Sequence, residues 1–195
     1  MSLTLIGSAT SPYVRRLRLY LQDAPYTFEP LNILDAEGDA RLTKISPIKR
    51  IPLLLIDNNP LFESRVIFSY IQKRFGRHEL SLDEENLISA ADALLDQLIQ
   101  IYLMRRFDHP VDLSNAYFAR FASRKKETLQ FLASAVSLGK LHNWDYPAMS
   151  LYTLLDWALF REMLTKEEVP QALHKFLAEH HGQPEVAGTD PRTLA

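Results

Sequence analysis

The chain has 195 residues, a formal net charge of -2 at pH 7 and no cysteine. This length allows one domain or two small ones and is sufficient to bury a hydrophobic core. The small net charge argues against a dedicated nucleic-acid binder, which would carry a basic excess. The absence of cysteine excludes disulfides, thiolate metal ligands and a thiol nucleophile supplied by the protein. We expect no membrane-spanning run and no signal peptide, and a reducing cytoplasm is the expected location.

The first half of the chain alternates between strand and helix patterns. The apolar run over 3–6 predicts a strand, and Ser11-Pro12 predicts the start of a helix. Serine is a preferred N-cap, and proline suits the first helical position. The alternating run over 26–31 predicts a second strand. The polar segment 35–45 predicts an irregular loop with a short helix.

The segment from residue 51 onward predicts a hairpin and a further helix. The continuous apolar run over 51–56 indicates a buried strand. Residues 57–60 predict a turn, after which 61–63 can pair back as a short strand. Ser64 is a plausible cap for a helix with apolar residues at helical spacing. The predicted order is therefore β-α-β, a loop, then β-β-α.

From residue 81 the pattern is helical throughout. Ser81 opens a capping box that predicts a long amphipathic helix. Ser114 predicts the cap of a second long helix, which Gly139 would end. The segment Thr153-Leu154-Leu155-Asp156 predicts the start of a third helix, and Pro170 that of a fourth. The prediction is an α/β domain over 1–76, a linker over 77–80 and an all-helical domain over 81–195.

The stretch from Gly7 to Arg16 predicts a ligand site. A strand that turns through small residues into a helix leaves the helix N-terminus open at the end of the strand. Its unpaired amide groups and partial positive charge favour an anion. The Ser11 hydroxyl could hydrogen-bond a bound thiolate and keep it ionised; alternatively, Ser11 only caps the helix. Because the chain has no cysteine, the thiol would have to come from a ligand.

The histidines do not predict a metal site. None has a paired spacing on one helix face beside a carboxylate, as a metal centre requires. We therefore expect no metal. The six histidines are His78, His109, His142, His174, His180 and His181.

Five segments of the chain together carry a family resemblance. They are Ser11-Pro12-Tyr13-Val14-Arg15-Arg16, the stretch 46–54, the stretch 61–71, Thr153-x-x-Asp156 and Gln183-Pro184-Glu185-Val186. In this order they resemble the cytosolic glutathione transferase family, in particular bacterial members with serine at the active position. The resemblance covers nearly the whole chain. It implies a thioredoxin-like N-terminal domain that binds glutathione, followed by an all-helical domain.

The resemblance also implies roles for individual residues at the thiol and the cysteinyl part of glutathione. Ser11 would donate to the sulfur, a role that Thr10 or Tyr13 could take instead. Ile51-Pro52 would be a cis peptide, with the backbone of Ile51 paired to the cysteinyl part. The alternative is an ordinary trans proline at the start of a strand.

Other residues would bind the two ends of the tripeptide. Glu63 would accept from the α-amino group and Ser64 would donate to the α-carboxylate; alternatively, Ser64 is a cap and Glu63 a solvated turn residue. Lys49 or Arg50 would meet the glycyl carboxylate, although a solvated loop charge is an alternative. Arg65 would be a further contact or part of a subunit interface. Lys49 stands where the family usually has glycine.

The implied protein is a homodimeric enzyme of detoxification with glutathione as co-substrate. It would conjugate small electrophiles or reduce them with glutathione, without direct nucleic-acid or membrane partners. The electrophile would lie between the domains, near Tyr102, Met104, Arg105 and Arg106. The alternative is a non-catalytic member that acts through protein contacts, as in the stringent starvation protein A group. The Glu-Ser-Arg-x-Ile segment of that group is similar to residues 63–67.

Overall fold

The computed structural model describes residues 2–112 and 114–193. The chain divides into two compact units. The first comprises the described residues up to Glu79 together with those from Gln183 onward. The second comprises Leu80–Gly182.

The first unit is built on a four-stranded mixed sheet in the order β2-β1-β3-β4. The strands are β1 (Leu3–Gly7), β2 (Thr27–Pro30), β3 (Leu53–Ile56) and β4 (Asn59–Phe62). β1 runs parallel to β2 and antiparallel to β3, which pairs in turn with antiparallel β4. The parallel pair requires a crossover, and α1 (Pro12–Tyr20) supplies it. The predicted order of the four strands along the chain is confirmed.

Two further helices complete the part of this unit before Glu79. They are α2 (Ala36–Ile45) and α3 (Ser64–Arg74), and α3 packs against α1. Ile6 and Leu53 form a buried cluster with Leu42 of α2 on one side of the sheet. The sheet therefore has a buried core that holds the ends of β1 and β3 in fixed positions.

The helix predicted within residues 35–45 is present, but it is longer than expected: α2 spans Ala36–Ile45, and the irregular loop predicted around it was wrong. Asp35 caps α2 by accepting from the Gly38 amide over 2.7 Å. Gly38 lies so close to the Asn32 carbonyl that a Cβ would stand 1.8 Å from its oxygen. The helix thus depends on a close approach of backbones that only glycine permits. Few of its side chains are apolar, so hydrophobic periodicity did not show how far the helix extends.

The hairpin between β3 and β4 is tighter than predicted. Its two central residues, Asp57 and Asn58, have φ values of 47° and 70°. Positive φ at both positions is the geometry of a two-residue turn that matches strand twist, and asparagine and aspartate tolerate it. Ladder pairing consequently begins at Asn59, two residues earlier than expected.

Residues 80–112 and 114–182, the described part of the second unit, form four long helices. They are α4 (Leu82–Arg106), α5 (Ala116–Ser137), α6 (Tyr146–Phe160) and α7 (Gln171–His181). α4 packs against both α5 and α6, and α7 packs against α5 and α6. The Ser81 capping box is confirmed, since its hydroxyl and the Glu84 carboxylate each bond the other residue's amide.

Two of the predicted helix starts were wrong. Asn115, not Ser114, caps α5, since its side chain accepts from the Tyr117 amide over 2.9 Å. α6 begins seven residues before Thr153 and is capped by Asp145. Thr153 lies inside the helix, where its hydroxyl donates to the Met149 carbonyl over 2.8 Å. Nearly all of α6 is buried, so no polar face marked where it begins.

The segment after Gly182 also differs from the prediction, which placed it in the helical domain. The structure groups it with the first unit, where it forms α8 (Pro184–Ala187). Arg15 of α1 donates from Nε to Thr189 Oγ1 over 3.2 Å and from Nη2 to the Val186 carbonyl over 3.1 Å. Hydrogen bonds from the buried Arg15 therefore connect the segment after Gly182 to α1. Leu194 and Ala195, also assigned to the helical domain, lie outside the described residues.

α4 is long and apolar enough to cross a membrane by length and composition alone, although the sequence predicted no such run. Its buried face is the one that packs against α5 and α6. The core helix of a helical unit passes the same test, so the finding is weak evidence for a membrane span.

Candidate functional site

The N-terminus of α1 lies directly beyond the end of β1, as the sequence predicted. Ser11 is the N-cap, and its Oγ accepts from the Val14 amide over 3.4 Å. A Cβ on Gly7 would lie 2.4 Å from Val14 Cγ2, so glycine is needed for α1 to approach the strand this closely. A hydroxyl that accepts with its oxygen can still donate its hydrogen elsewhere. Capping the helix and donating to a sulfur are therefore compatible roles for Ser11.

The two alternative thiol contacts are engaged with neighbouring groups. Thr10 Oγ1 lies 3.1 Å from Ser8 Oγ, and the Thr10 amide donates to the same oxygen over 3.3 Å. The Tyr13 ring lies under the guanidinium of Arg16, 4.6 Å from its centroid. Of the three hydroxyls, that of Ser11 is the one at the helix cap.

The N-terminus of α3 holds the second pair of candidate residues. Ser64 is the first helical residue, and Glu63 occupies the N-cap position with no side-chain cap hydrogen bond. The prediction that Ser64 caps this helix was therefore wrong. Ser64 is instead buried, and its Oγ accepts from Arg16 Nη2 over 2.6 Å. Glu63 is exposed and has φ 64° and ψ 126°.

Arg16 is a site residue to which the sequence analysis assigned no role. Its side chain is 1% exposed, although arginine is almost never fully buried unless it has partners. One signal was present, because the buried face of α1 contains Arg15 and Arg16 among apolar residues. Such a pattern indicates that an arginine is buried. It does not identify the hydrogen-bond partner, because Ser64 is 48 residues away in the sequence.

The loop before β3 carries the remaining candidates. Lys49 has φ 49°, a conformation that suits the glycine usual at this position, and its Nζ lies 3.4 Å from Asp39 Oδ1. Arg50 Nη1 lies 3.8 Å from Glu63 Oε1. Both ion pairs are exposed, and such pairs contribute about 0–1 kcal/mol. A carboxylate ligand could therefore displace the acidic partner of either pair, Asp39 or Glu63, at little cost in free energy.

The Ile51–Pro52 peptide is cis, as expected. Ile51 lies just before β3, whose pairing with β1 ends at Leu53 opposite Ile6. Its backbone therefore stands outside the sheet ladder.

The arrangement suits a ligand with more than one anionic group. Two helix N-termini in the same unit each carry a serine, and helix N-termini attract negative charge. Arg16 of α1 reaches Ser64 of α3 and so links the two ends. Each helix end therefore presents a serine and partial positive charge to which an anionic group is attracted.

The residues expected beside the electrophile lie near the end of α4 in the second unit. The Tyr102 ring packs edge-on against Trp157, with centroids 5.6 Å apart. Met104 is half-buried, and Arg105 and Arg106 are exposed in the last turn of the helix. The two arginines are therefore accessible to solvent, whereas the ring of Tyr102 packs against another aromatic ring.

A cleft of about 350 Å³ lies between α4 and α5 and was not predicted. The four residues expected beside the electrophile are not among those that line it. Charged and amide side chains form much of its wall, so it is a polar groove. Its lining includes Asp96, Gln97, Gln100, Tyr117, Phe121 and Arg124. Separately, a search of residues 2–112 and 114–193 finds no group of three or more acidic or histidine side chains suited to a metal.

The mixed four-stranded sheet with its crossover helix defines the first unit as a thioredoxin-like domain. Comparison with known proteins agrees. Residues 1–73 match the family model of the glutathione S-transferase N-terminal domain. Over these residues, the chain is similar to the N-terminal domain of glutathione S-transferases.

One curated relative resembles part of the chain. It is the uncharacterized GST-like protein YibF of Escherichia coli (strain K12), which is 35% identical over 69 residues. This stretch covers 35% of the chain and 34% of the relative, so the match spans about a third of that protein.

Solved structures resemble nearly the whole chain. A glutathione S-transferase from Methylobacillus flagellatus with glutathione bound has a TM-score of 0.80 at 18% identity, covering 97% of this chain and 100% of that one. A glutathione transferase family member from Pseudomonas fluorescens with bound glutathione has a TM-score of 0.79 at 22% identity, covering 97% and 99%. At such low identities these matches show the shared fold.

Proposed function

We propose that the protein is a glutathione transferase that binds glutathione on its first unit and activates the thiol for attack on small electrophiles. The observation that carries the proposal is the pair of serines at the N-termini of α1 and α3, with Ser64 held by buried Arg16. The solved structures of similar fold with bound glutathione support the choice of ligand.

Each part of glutathione has a chemically matched group in this unit. The α-carboxylate meets Ser64 at the N-terminus of α3, and the α-amino group meets the Glu63 carboxylate. The backbone of Ile51 pairs with the cysteinyl part as an added strand would. Lys49 or Arg50 meets the glycyl carboxylate with a charge-assisted hydrogen bond.

The proposed chemistry activates the ligand rather than the protein. A free thiol has a pKa of about 8.5, and a helix N-terminus lowers it by stabilising the thiolate. The Ser11 hydroxyl donates to the sulfur while its oxygen continues to cap α1. The proton leaves to solvent, and the sulfur forms a bond to an electrophilic carbon as the leaving group departs. A peroxide is the alternative acceptor. The sulfur then bonds to one peroxide oxygen as the O–O bond breaks, the other oxygen leaves as an alcohol or water after taking a proton from solvent, and a second glutathione converts the resulting sulfenic acid to glutathione disulfide and water.

The test has two readouts, namely retention on immobilised glutathione and turnover of a chromogenic aryl halide. We expect Ser11→Ala to lower kcat/KM by about 10- to 1000-fold while retention persists, because one donor to a developing anion contributes about that much. Ser8→Ala is the matched control, since it removes a hydroxyl from the same turn without touching the cap. Equal activities of the Ser11→Ala and wild-type proteins would refute the role of Ser11.

Other outcomes separate this proposal from its alternative. Retention without turnover of aryl halides or peroxides would indicate a glutathione-binding protein that is not a transferase. Failure to be retained would favour a non-catalytic member that acts through protein contacts, as the Glu63-Ser64-Arg65 segment also allows. We further propose a cytoplasmic homodimer, for which light scattering should give twice the mass of the chain.

A further inference from the structure

Arg16 connects the two helices that carry the candidate serines. It belongs to α1, is 1% exposed, and donates from Nη2 to Ser64 Oγ over 2.6 Å across 48 residues of sequence. A guanidinium has only donors and is always charged. The Ser64 oxygen must therefore be the acceptor in this contact, which directs the hydroxyl hydrogen away from the guanidinium.

Burial makes the charge of Arg16 effective at the N-terminus of α3. Solvent and salt screen a buried charge much less than an exposed one. The first turn of α3 contributes partial positive charge of the same sign. The Tyr13 ring, 4.6 Å from the guanidinium carbon, helps to hold the group in place. An anion at this helix end thus meets two positive sources and an oriented hydroxyl.

We propose that Arg16 is a positioning residue that selects the α-carboxylate of the bound tripeptide through Ser64. The inference rests on the proposed function and identifies the part of glutathione that this buried charge recognises. Arg16 affects the affinity for glutathione, whereas activation of the thiol depends on Ser11 at the N-cap of α1. Its removal should therefore change KM for glutathione much more than kcat.

The adjacent arginine provides a matched control. Arg15 is also buried, at 3% exposed, but its guanidinium donates to Thr189 and the Val186 carbonyl rather than to α3. Its substitution perturbs the packing of α1 without removing the charge beneath Ser64. A merely structural role for Arg16 would make the two arginines behave alike.

The experiment measures dissociation constants by calorimetry for glutathione and for 4-aminobutyryl-cysteinylglycine, which lacks the α-carboxylate. We expect Arg16→Met to weaken glutathione binding by about tenfold or more and binding of the analogue by less than about threefold. Arg16→Lys keeps the charge and should fall between. Arg15→Lys should leave the ratio of the two constants unchanged. At saturating glutathione, kcat of Arg16→Lys should stay within about threefold of wild type.

Several outcomes would overturn the inference. The inference would be refuted if Arg16→Met weakened the binding of glutathione and of the analogue equally, or if Arg15→Lys changed the ratio of their dissociation constants. Either result would leave the proposed function intact. Failure of the wild-type protein to bind glutathione would refute the proposed function itself, and the inference with it. If Arg16→Met does not fold, a double-mutant cycle of Arg16→Lys with Ser64→Ala decides. Coupling seen with glutathione and absent with the analogue supports the role, and additivity with both refutes it.

Discussion

Glu63 has a strained backbone at the N-cap position of α3. Its φ of 64° and ψ of 126° lie in a region that residues with a Cβ rarely adopt. Conformations of this kind cost about 1–3 kcal/mol and occur preferentially at ligand sites. The exposed pair with Arg50 cannot offset this cost, because such pairs contribute little. The hairpin before Glu63 and the helix after it must hold the conformation.

Replacing Glu63 should separate backbone strain from ligand binding. We expect Glu63→Gly to exceed Glu63→Ala in free energy of unfolding by about 1 kcal/mol, because glycine adopts positive φ without a Cβ clash. Urea denaturation measures this difference. Both variants lose the carboxylate, so both should bind immobilised glutathione equally weakly. Equal stabilities of the two variants would show that the position is not strained.

At the scale of elements, α5 ends through a local hydrogen-bond motif that the sequence predicted. Gly139 has φ 71°, and its amide donates to the Val136 carbonyl over 2.9 Å. The Lys140 amide donates to the Ala135 carbonyl over 3.0 Å, which completes a Schellman ending. The left-handed conformation at Gly139 is the reason that glycine stands there.

Gly139→Ala should lower the free energy of unfolding by about 1 kcal/mol, since alanine pays a steric cost in the left-handed region. Gly182→Ala is the control at the end of α7. There φ is -81° and a Cβ would meet nothing within 4 Å. The control should be neutral or slightly stabilising in the same urea titration. Similar losses in both variants would contradict the explanation from φ.

α7 buries a titratable group against aromatic rings. The His180 ring stacks on Trp144 with centroids 4.4 Å apart and meets the edge of Phe176 at 4.7 Å. Burial lowers the pKa of His180 below its ordinary value of 6.5, and the nearby Glu179 carboxylate opposes this only in part. The folded protein therefore binds a proton at His180 less readily than the unfolded chain does.

The sign of the resulting pH dependence follows from linkage. Because the unfolded state binds more protons, stability decreases as pH falls below about 6.5. We expect His180→Gln to flatten the decrease between pH 7.5 and pH 5 in urea denaturation. His109→Gln, at an exposed position, should leave it unchanged. A His180→Gln protein with the wild-type pH slope would show that His180 is not its source.

At the scale of the whole molecule, the first unit is assembled from both ends of the chain. The segment from Gln183 onward joins it through α8 and the hydrogen bonds of Arg15 to Val186 and Thr189. Arg18 adds a bond to the Gly188 carbonyl over 3.4 Å. The helix that carries Ser11 is therefore supported by residues more than 160 positions away in the sequence.

Loss of this fastening should destabilise the first unit. We expect Arg15→Ala to lower the free energy of unfolding by about 2–4 kcal/mol, because it removes two buried hydrogen bonds from a charged group, to Thr189 Oγ1 and to the Val186 carbonyl. Hydrogen exchange should become faster in α1. Arg192→Ala, which removes a partly exposed pair with Asp190, should change stability by less than about 1 kcal/mol. Unchanged exchange in α1 of Arg15→Ala would refute the fastening.

The sequence by itself determined the features that depend on neighbouring residues. These are the order of the strands along the chain in the first unit, the caps at Ser11 and Ser81, and the end of α5 at Gly139. Turns and caps depend on a few adjacent side chains, and strands on short apolar runs, so rules based on neighbouring residues are sufficient to predict them. The family motifs added the residues around both helix N-termini.

Only the tertiary structure decided the features that depend on distant partners. α2 spans nearly all of a segment where only a short helix was expected, and it packs closely against the Asn32 carbonyl because Gly38 has no Cβ. Ser64 accepts from Arg16 instead of capping α3, because the two helices pack together. The chain after Gly182 joins the first unit because Arg15 bonds to it. Each of these contacts joins groups whose pairing is set by packing rather than by spacing along the chain.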